Sequence, residues 1–409
     1  MNKKIRLFYG VVGFILLIFL GVSYAWSIFV QPLEEEFGWL RSQTSIAFTI
    51  SMVFFCVGNL AAGRIMPKIS PRTGMFITAL AMGGGFIASS FTLSLPWIYI
   101  SYGVACGFAM GFGANVVLST TLRWFADCQG VASGVLLMGV GLGGIVLSPL
   151  ATILLNSVGW RKTFFILGVL LFAVLSVGAM MIQNPSKEFS GKLVEKARKN
   201  NVISSRDFKT DEMLHCSAFW LFMAWGVLIG AGSLALISNA VPAAEDILIV
   251  TMGEEESVMA ATAAMGMISV FNGLGRLALG VIWDRRGYKL SLIIFSMAYG
   301  LSMAACAAAT VRLNISLLVG GFILLGATYG GSMSAASAMI GSFFGTKYYS
   351  INYACATCSL IVAALIGPTM IGWLRTSSGS YLSSFLVILG LSFCSLVCCF
   401  FIRKPEKLA

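Results

Sequence analysis

Twelve long apolar stretches follow one another along this chain, at approximately 6–30, 43–67, 74–94, 97–122, 131–155, 163–183, 217–241, 258–283, 289–309, 315–343, 350–375 and 381–402. About 20 apolar residues at 1.5 Å rise each cross the ~30 Å hydrocarbon core of a bilayer. Each stretch, numbered here as spans 1 to 12, is of that order. Only 11% of the residues are charged, against roughly a quarter in soluble domains, so a water-soluble fold is excluded. The runs are uniformly apolar and do not alternate over about ten residues, which excludes an outer-membrane barrel. The expected fold is an all-α membrane protein of twelve transmembrane helices. Span 1 follows Lys3, Lys4 and Arg6 as a signal peptide would, but it runs too long and meets no small-residue cleavage site before Gln31-Pro32. It reads as a retained helix.

The breaks between spans carry an orientation signal. An even number of spans puts both termini on one side, and the loops of that side hold 21 Lys and Arg against five, Arg41, Arg161, Lys162, Arg312 and Arg375, in the opposite loops. The positive-inside rule then expects both termini in the cytoplasm of a cell inner (plasma) membrane. The net charge of +11 is thus a topology signal, and a nucleic-acid partner is not expected. Of the 27 Lys and Arg, one belongs to no loop: Arg276, inside span 8.

The longest polar break, 184–214, is rich in Lys, Arg, Asn and Ser and reads as a cytoplasmic linker between an N-terminal six-helix bundle, 1–183, and a C-terminal one, 215–409. A shift of 217 residues lays Gly63-Arg64-Ile65-Met66-Pro67-Lys68 over Gly280-Val281-Ile282-Trp283-Asp284-Arg285, and a shift of 219 lays the run starting at Gly107 over that starting at Gly326. Weak same-direction similarity between two six-helix halves is the expected mark of a transporter that rocks its halves around a midplane site.

These residues carry a resemblance. Gly280-Val281-Ile282-Trp283-Asp284-Arg285-Arg286-Gly287-Tyr288-Lys289 is similar to the G-x-x-x-D-R-x-G-R/K-K/R loop of the major facilitator superfamily, and the first-half copy departs from it at Pro67 and Ser70. Tyr24-Ala25-Trp26-Ser27-Ile28-Phe29, with Pro32-Leu33 and Glu36-Phe37-Gly38-Trp39, resembles the oxalate/formate antiporter family, which is related to the monocarboxylate porters. The resemblance implies two pseudo-symmetric six-helix bundles, alternating access, a monomer and a small organic anion as cargo.

An arginine within the hydrocarbon costs between about 2.5 and 17 kcal/mol, depending on the measure, so something must compensate for Arg276. One reading has it snorkelling to the cytoplasmic interface. Seven residues separate it from the end of span 8, on the order of 10 Å, and Asn272, one turn earlier, extends a polar face. The other reading has Arg276 face a water-filled cavity between the halves as a carboxylate ligand, since a guanidinium matches a carboxylate bidentately and no span interior holds Asp or Glu. The resemblance agrees, because related carboxylate porters bind substrate with a helix 8 arginine. Tyr24, Asn115 and Tyr329 are further candidate ligands, each able to donate a hydrogen bond, with packing between helices as the competing role.

One cation neutralises a monoanion and leaves a dianion with excess charge. Oxalate/formate exchangers, as the resemblance implies, add a lysine on helix 11; here 352–364 contains none. That favours lactate, pyruvate, formate or a similar monocarboxylate. Proton-coupled porters of the resembling group place an aspartate where this chain has Asn272, which leans toward exchange, while Asp127, Glu245 and Asp246 keep proton symport open. Asp284, Arg285, Arg286 and Lys289, with Arg64, Lys68 and Arg72 in the first half, are expected to form cytoplasmic latches that gate the cavity. Forty-five glycines suit close helix packing in a membrane, with flexing at Pro149 of span 5 and Pro368 of span 11 as an added role. Ten cysteines, almost wholly inside the apolar stretches, read as packing residues, and no metal or cofactor is expected. Trp26, Trp39, Trp97, Trp160 and Trp373 read as interfacial anchors.

Three competing functions stay in view. An intramembrane enzyme would need a catalytic cluster at depth, which the spans lack. A sensor would need a signalling domain larger than the linker. A drug or other-solute exporter of the same fold remains the nearest rival.

Overall fold

The structure, a computed structural model, describes residues 3–22, 26–200, 202–240, 242–244 and 254–405. It is all-α, with no strand among the described residues. Nine helices among them are long and apolar enough to cross a membrane. One, Ala126–Met181, holds two spans, because Gly159 at φ 78° breaks the helical path where a side chain would be strained. Lys3–Leu20 with the start of Trp26–Phe37 supplies span 1, the rest of that helix with its three glutamates lying beyond the span, and Pro71–Ser89 supplies span 3. The twelve spans are thereby complete.

Why the spans pair as they do is written in backbone contacts. In spans 2 and 4 a Cβ on Gly107 would overlap the Ser51 carbonyl oxygen, one on Gly111 that of Phe55, and one on Gly58 that of Phe108. In spans 8 and 10 the same three contacts recur, Gly326 on Ile268, Gly330 on Asn272 and Gly275 on Ala327. Every one of these positions is related to its partner by the shifts of 217 and 219 residues. Lipid offers no hydrophobic drive for helix association, so van der Waals fit between close backbones is what joins such spans. Glycine at these positions is therefore a packing requirement of both halves.

The chain divides into two compact units that do not follow the sequence halves. One gathers Met1–Ala132, Gly139–Phe208 and Ile340–Thr357; the other gathers Ser133–Met138, Lys209–Met339 and Cys358–Ala409. Six residues of span 5 thus belong with span 8, and the start of span 11 belongs with span 2. Span 11 comprises Tyr349–Thr357 and Ser359–Ser378, which meet at Cys358, where the two units share the span, and Pro149 and Pro368 lie inside helices.

Within the first unit, Phe29 stacks on Phe164 at 4.0 Å and Trp26 lies 4.3 Å from Tyr102. In the second, fully buried Trp225 donates from Nε1 to Ser296 Oγ at 2.9 Å. Trp97 and Trp373 are exposed, as interfacial anchors would be, but Trp26 and Trp160 are buried. Trp160 donates to Glu36 Oε2 at 2.6 Å and Arg161 to Oε1 at 2.8 Å, which makes a polar corner where the sequence suggested a lipid-facing ring.

The Trp160 hydrogen bond, then that of Arg161, holds the Glu36 carboxyl below the usual carboxylate range. A depressed carboxylate contributes stability above its unfolded pKa of about 4.3 and loses it as pH falls through the folded value. Glu36→Gln is accordingly expected to melt below the native chain at pH 7, with the gap closing below about pH 4, in a thermal melt across pH.

Candidate functional site

Arg276 lies in the helix Glu254–Arg286 and is 3% exposed. It does not snorkel. Its Nε donates to Asn272 Oδ1 at 3.0 Å, one turn back on the same helix, and its Nη1 donates to the Leu137 carbonyl of span 5 at 2.6 Å. No carboxylate pairs with it among the described residues. A guanidinium has five donors, and here two identified acceptors are neutral oxygens. The expectation of a side chain facing an open cavity is replaced by one closed over by spans 5 and 8.

The surroundings of Arg276 follow from the glycine contacts. Gly330 of span 10 packs on the Asn272 backbone, and the adjacent Tyr329 is 8% exposed on the same span. Gly134 of span 5 faces Arg276 itself, where a Cβ would come within 2.6 Å of its carbonyl oxygen. Arg276 and Asn272 therefore lie where spans 5, 8 and 10 meet, with Tyr329 next in sequence to the Gly330 contact. Tyr24 lies outside the described residues, as do Glu245 and Asp246.

Asn115 is elsewhere and differently employed. It is fully buried in the first unit; its Nδ2 donates to the Asn59 Oδ1 at 2.6 Å and to the Ser350 carbonyl at 2.9 Å, and its Oδ1 accepts from Ser350 Oγ at 2.5 Å. The amide is consumed on both sides. Asn115 is thus a tie between spans 2, 4 and 11, which is the packing role that the sequence offered as its alternative.

The basic loops are exposed. Arg285, Arg286, Lys289, Arg64, Lys68 and Arg72 all reach solvent, and none forms an ion pair among the described residues; Arg72 donates only to Gln183 Oε1 at 3.4 Å. Asp284 has a partner and is half-buried at the end of the same helix. At the terminal side the linker supplies a set of ties of its own. Asp207 Oδ1 accepts from the backbone N–H groups of Thr346 and Lys347 at 2.9 and 3.0 Å, while its Oδ2 accepts from Arg198 at 2.5 Å. Beside it the Phe208 N–H donates to the Phe344 carbonyl at 2.9 Å, and Asn352 donates back to the Phe208 carbonyl at 3.1 Å. Asp207 was invisible in the sequence because its partners are backbone amides 139 and 140 residues away.

Asp127, a candidate proton site, is held by Arg6, with Nη2 at 2.5 Å and Nη1 at 3.1 Å from its two oxygens. A cavity of about 250 Å³ in the first unit is lined by Ser119, Arg123, Gln129, Ser190, Lys347 and Tyr349 among others, and none of the described candidate ligands lines it.

Two measurements follow from these ties. Asn115→Ala leaves Ser350 and Asn59 without partners and is expected to cost about 1–3 kcal/mol of stability, read as a lower melting temperature in detergent with anion affinity unchanged. Asp207→Ala is expected to speed hydrogen exchange at the Thr346 and Lys347 amides, which lose their acceptor.

The chain has kin among known proteins. It is 26% identical over 379 residues to the oxalate:formate antiporter of Oxalobacter formigenes, covering 91% of this chain and 86% of that one. It is 22% identical to monocarboxylate transporter 12 of Xenopus laevis, over 91% of this chain and 83% of that one. Among solved structures, the proton:xylose symporter XylE bound to 6-bromo-6-deoxy-D-glucose superposes with a TM-score of 0.67 at 14% identity, covering 99% of this chain and 98% of that one. A double tryptophan mutant of XylE gives 0.70 at 11% identity, over 100% and 98%; at such identities the likeness speaks for the fold. The model of the Major Facilitator Superfamily matches residues 11–312 and 247–409, and with twelve spans, paired repeats and these relatives the chain belongs to that superfamily as a multi-pass membrane transporter.

Proposed function

We propose that this transporter carries a small monocarboxylate, with Arg276 as the carboxylate ligand. The observation that carries the reading is a buried guanidinium at mid-span that has neutral acceptors and no carboxylate partner among the described residues. A charge in that position is costly, and an incoming anion supplies the counter-charge that the chain itself withholds. Asn272 orients the guanidinium from one turn back. Tyr329 and Tyr24 are assigned to the α-hydroxyl or keto group of the substrate. The relatives' names support a small carboxylate as the cargo, oxalate and formate in one case and monocarboxylates in another.

A single cation and a lysine-free span 11 favour a monoanion over a dicarboxylate. Exchange is favoured over proton symport, because the titratable group beside the arginine is replaced by Asn272 and Asp127 is already paired with Arg6. The empty carrier would have to move an uncompensated charge, which is slow. Alternating access is assigned to the halves 1–183 and 215–409 joined by the linker 184–214, in a monomer. The positive loops assign the chain to the cell inner membrane with both termini cytoplasmic.

The test is uptake of lactate, pyruvate, formate and oxalate into proteoliposomes, with and without internal carboxylate, for the native chain and Arg276→Gln. The expected result is monocarboxylate uptake that internal substrate accelerates and that falls at least about tenfold in the variant, the loss that a charged hydrogen bond of roughly 1.5–3 kcal/mol implies. Oxalate preferred over the monoanions would replace the substrate; uptake indifferent to the substitution would remove Arg276 from the site.

A further inference from the structure

The Leu137 carbonyl accepts at 2.6 Å from Arg276 Nη1, one of the donors that a carboxylate would draw on. We propose that it is a built-in competitor for the anion: Arg276 holds span 5 at Leu137 while no anion is bound, and anion binding transfers that donor to the carboxylate and releases Ser133–Met138 from span 8. The proposal rests on the reading of Arg276 as the carboxylate ligand and adds to it what binding does to the fold.

Four observations support the transfer. First, the exchange is favourable for the arginine, since a hydrogen bond to an ionised acceptor is roughly twice as strong as one to a neutral carbonyl. Second, it is cheap for Leu137. A helical carbonyl has two lone pairs and already serves the N–H four residues on, so it is not orphaned when Arg276 leaves. Third, the reach of the tie coincides with the reach of the attachment. Ser133–Met138 alone among the residues of span 5 belongs with the second unit, while Gly139 onward belongs with the first. The six residues include Gly134, pressed on the Arg276 backbone, and Leu137, held by its side chain.

Fourth, the internal repeat supplies a control. Asn59 stands 217 residues before Arg276, and Gly134 stands 217 before Ile351. In the first unit Gly63 presses on the Ile351 backbone, where a Cβ would meet its Cα at 2.7 Å, and Asn59 acts through Asn115 on Ser350. The start of span 11 is therefore also held to its own unit, with the polar residue at the repeat-equivalent position acting through Asn115 rather than directly. The two ties differ in partner and in charge. Asn59 is neutral, whereas Arg276 bonds Leu137 directly and carries the charge that an anion can draw away. Of the two ties, the anion acts on the one in span 8.

The experiment uses the full chain in lipid nanodiscs. Hydrogen exchange of the 133–138 peptide is followed with and without lactate, pyruvate, formate or oxalate, and affinity is measured for the native chain, Arg276→Gln and Gly134→Ala. Gly134→Ala keeps the arginine but places a Cβ against the Arg276 carbonyl, forcing spans 5 and 8 apart. The expected result is faster exchange at 133–138 when the anion binds, with the 217–238 peptide unchanged. In Gly134→Ala that exchange is fast without anion, and the anion binds roughly tenfold tighter because its competitor has been moved away.

If the native chain binds an anion, Arg276→Gln does not, and exchange at 133–138 is unchanged or slower, the release mechanism is overturned while the ligand assignment stands. A Gly134→Ala chain that binds no tighter overturns it as well. Native affinity in Arg276→Gln, or no binding of any of the four anions, sinks the ligand assignment and the release together.

Discussion

Backbone-on-backbone contact between paired spans is the constraint on which the other features depend. Because lipid tails are as apolar as the side chains they surround, a helix in a bilayer gains little by merely covering leucine with leucine. What it gains from is fit. Gly107, Gly111 and Gly58 bring spans 2 and 4 to carbonyl contact, and Gly326, Gly330 and Gly275 do the same for spans 8 and 10. The span 8 contact sets where Asn272 stands, and Asn272 in turn sets the Arg276 guanidinium through Nε. A charge can be held at that depth because the helices around it are fixed by contacts that do not involve it.

The polar residues at membrane depth divide by what satisfies them. Asn115 and Ser350 exchange hydrogen bonds with each other, Asn115 also donating to Asn59, and the result is a joint of neutral groups. Arg276 meets only neutral oxygen among the acceptors identified, and the result is a group whose electrostatic demand is unmet by its own chain. Hydrogen-bonding capacity alone does not separate the two cases, since both side chains are buried and bonded. The sign and completeness of the compensation do.

Much of this was legible in the sequence, and the limit has a physical cause. Span length, the basic loops, the linker and the repeat shifts are one-dimensional patterns, and the structure bears out twelve helices with the 217 and 219 registers intact in its glycine contacts. Arg276 was legible because a charge in an apolar run has no local excuse. The sequence leaves Asn115 between two roles because an amide's role depends on which atoms face it, and Ser350 lies 235 residues away. Asp207 was missed for the same reason, one step further: its partners at Thr346 and Lys347 are main-chain groups, which every residue carries and no sequence pattern marks. Trp26 and Trp160 looked like surface aromatics by position along the chain, but burial is set by the face of the helix.

The attachment of Ile340–Thr357 to the first unit and of Ser133–Met138 to the second fixes an order of events during synthesis. The first six spans leave the ribosome long before residue 350 exists, so Asn115 and Asn59 enter the bilayer without Ser350, and Gly134 without the helix of Arg276. The contacts that Asn115 makes with Ser350 and that Gly134 makes with Arg276 can therefore close only after the later spans have been made, so the second half completes the packing of the first rather than standing as an independent copy of it.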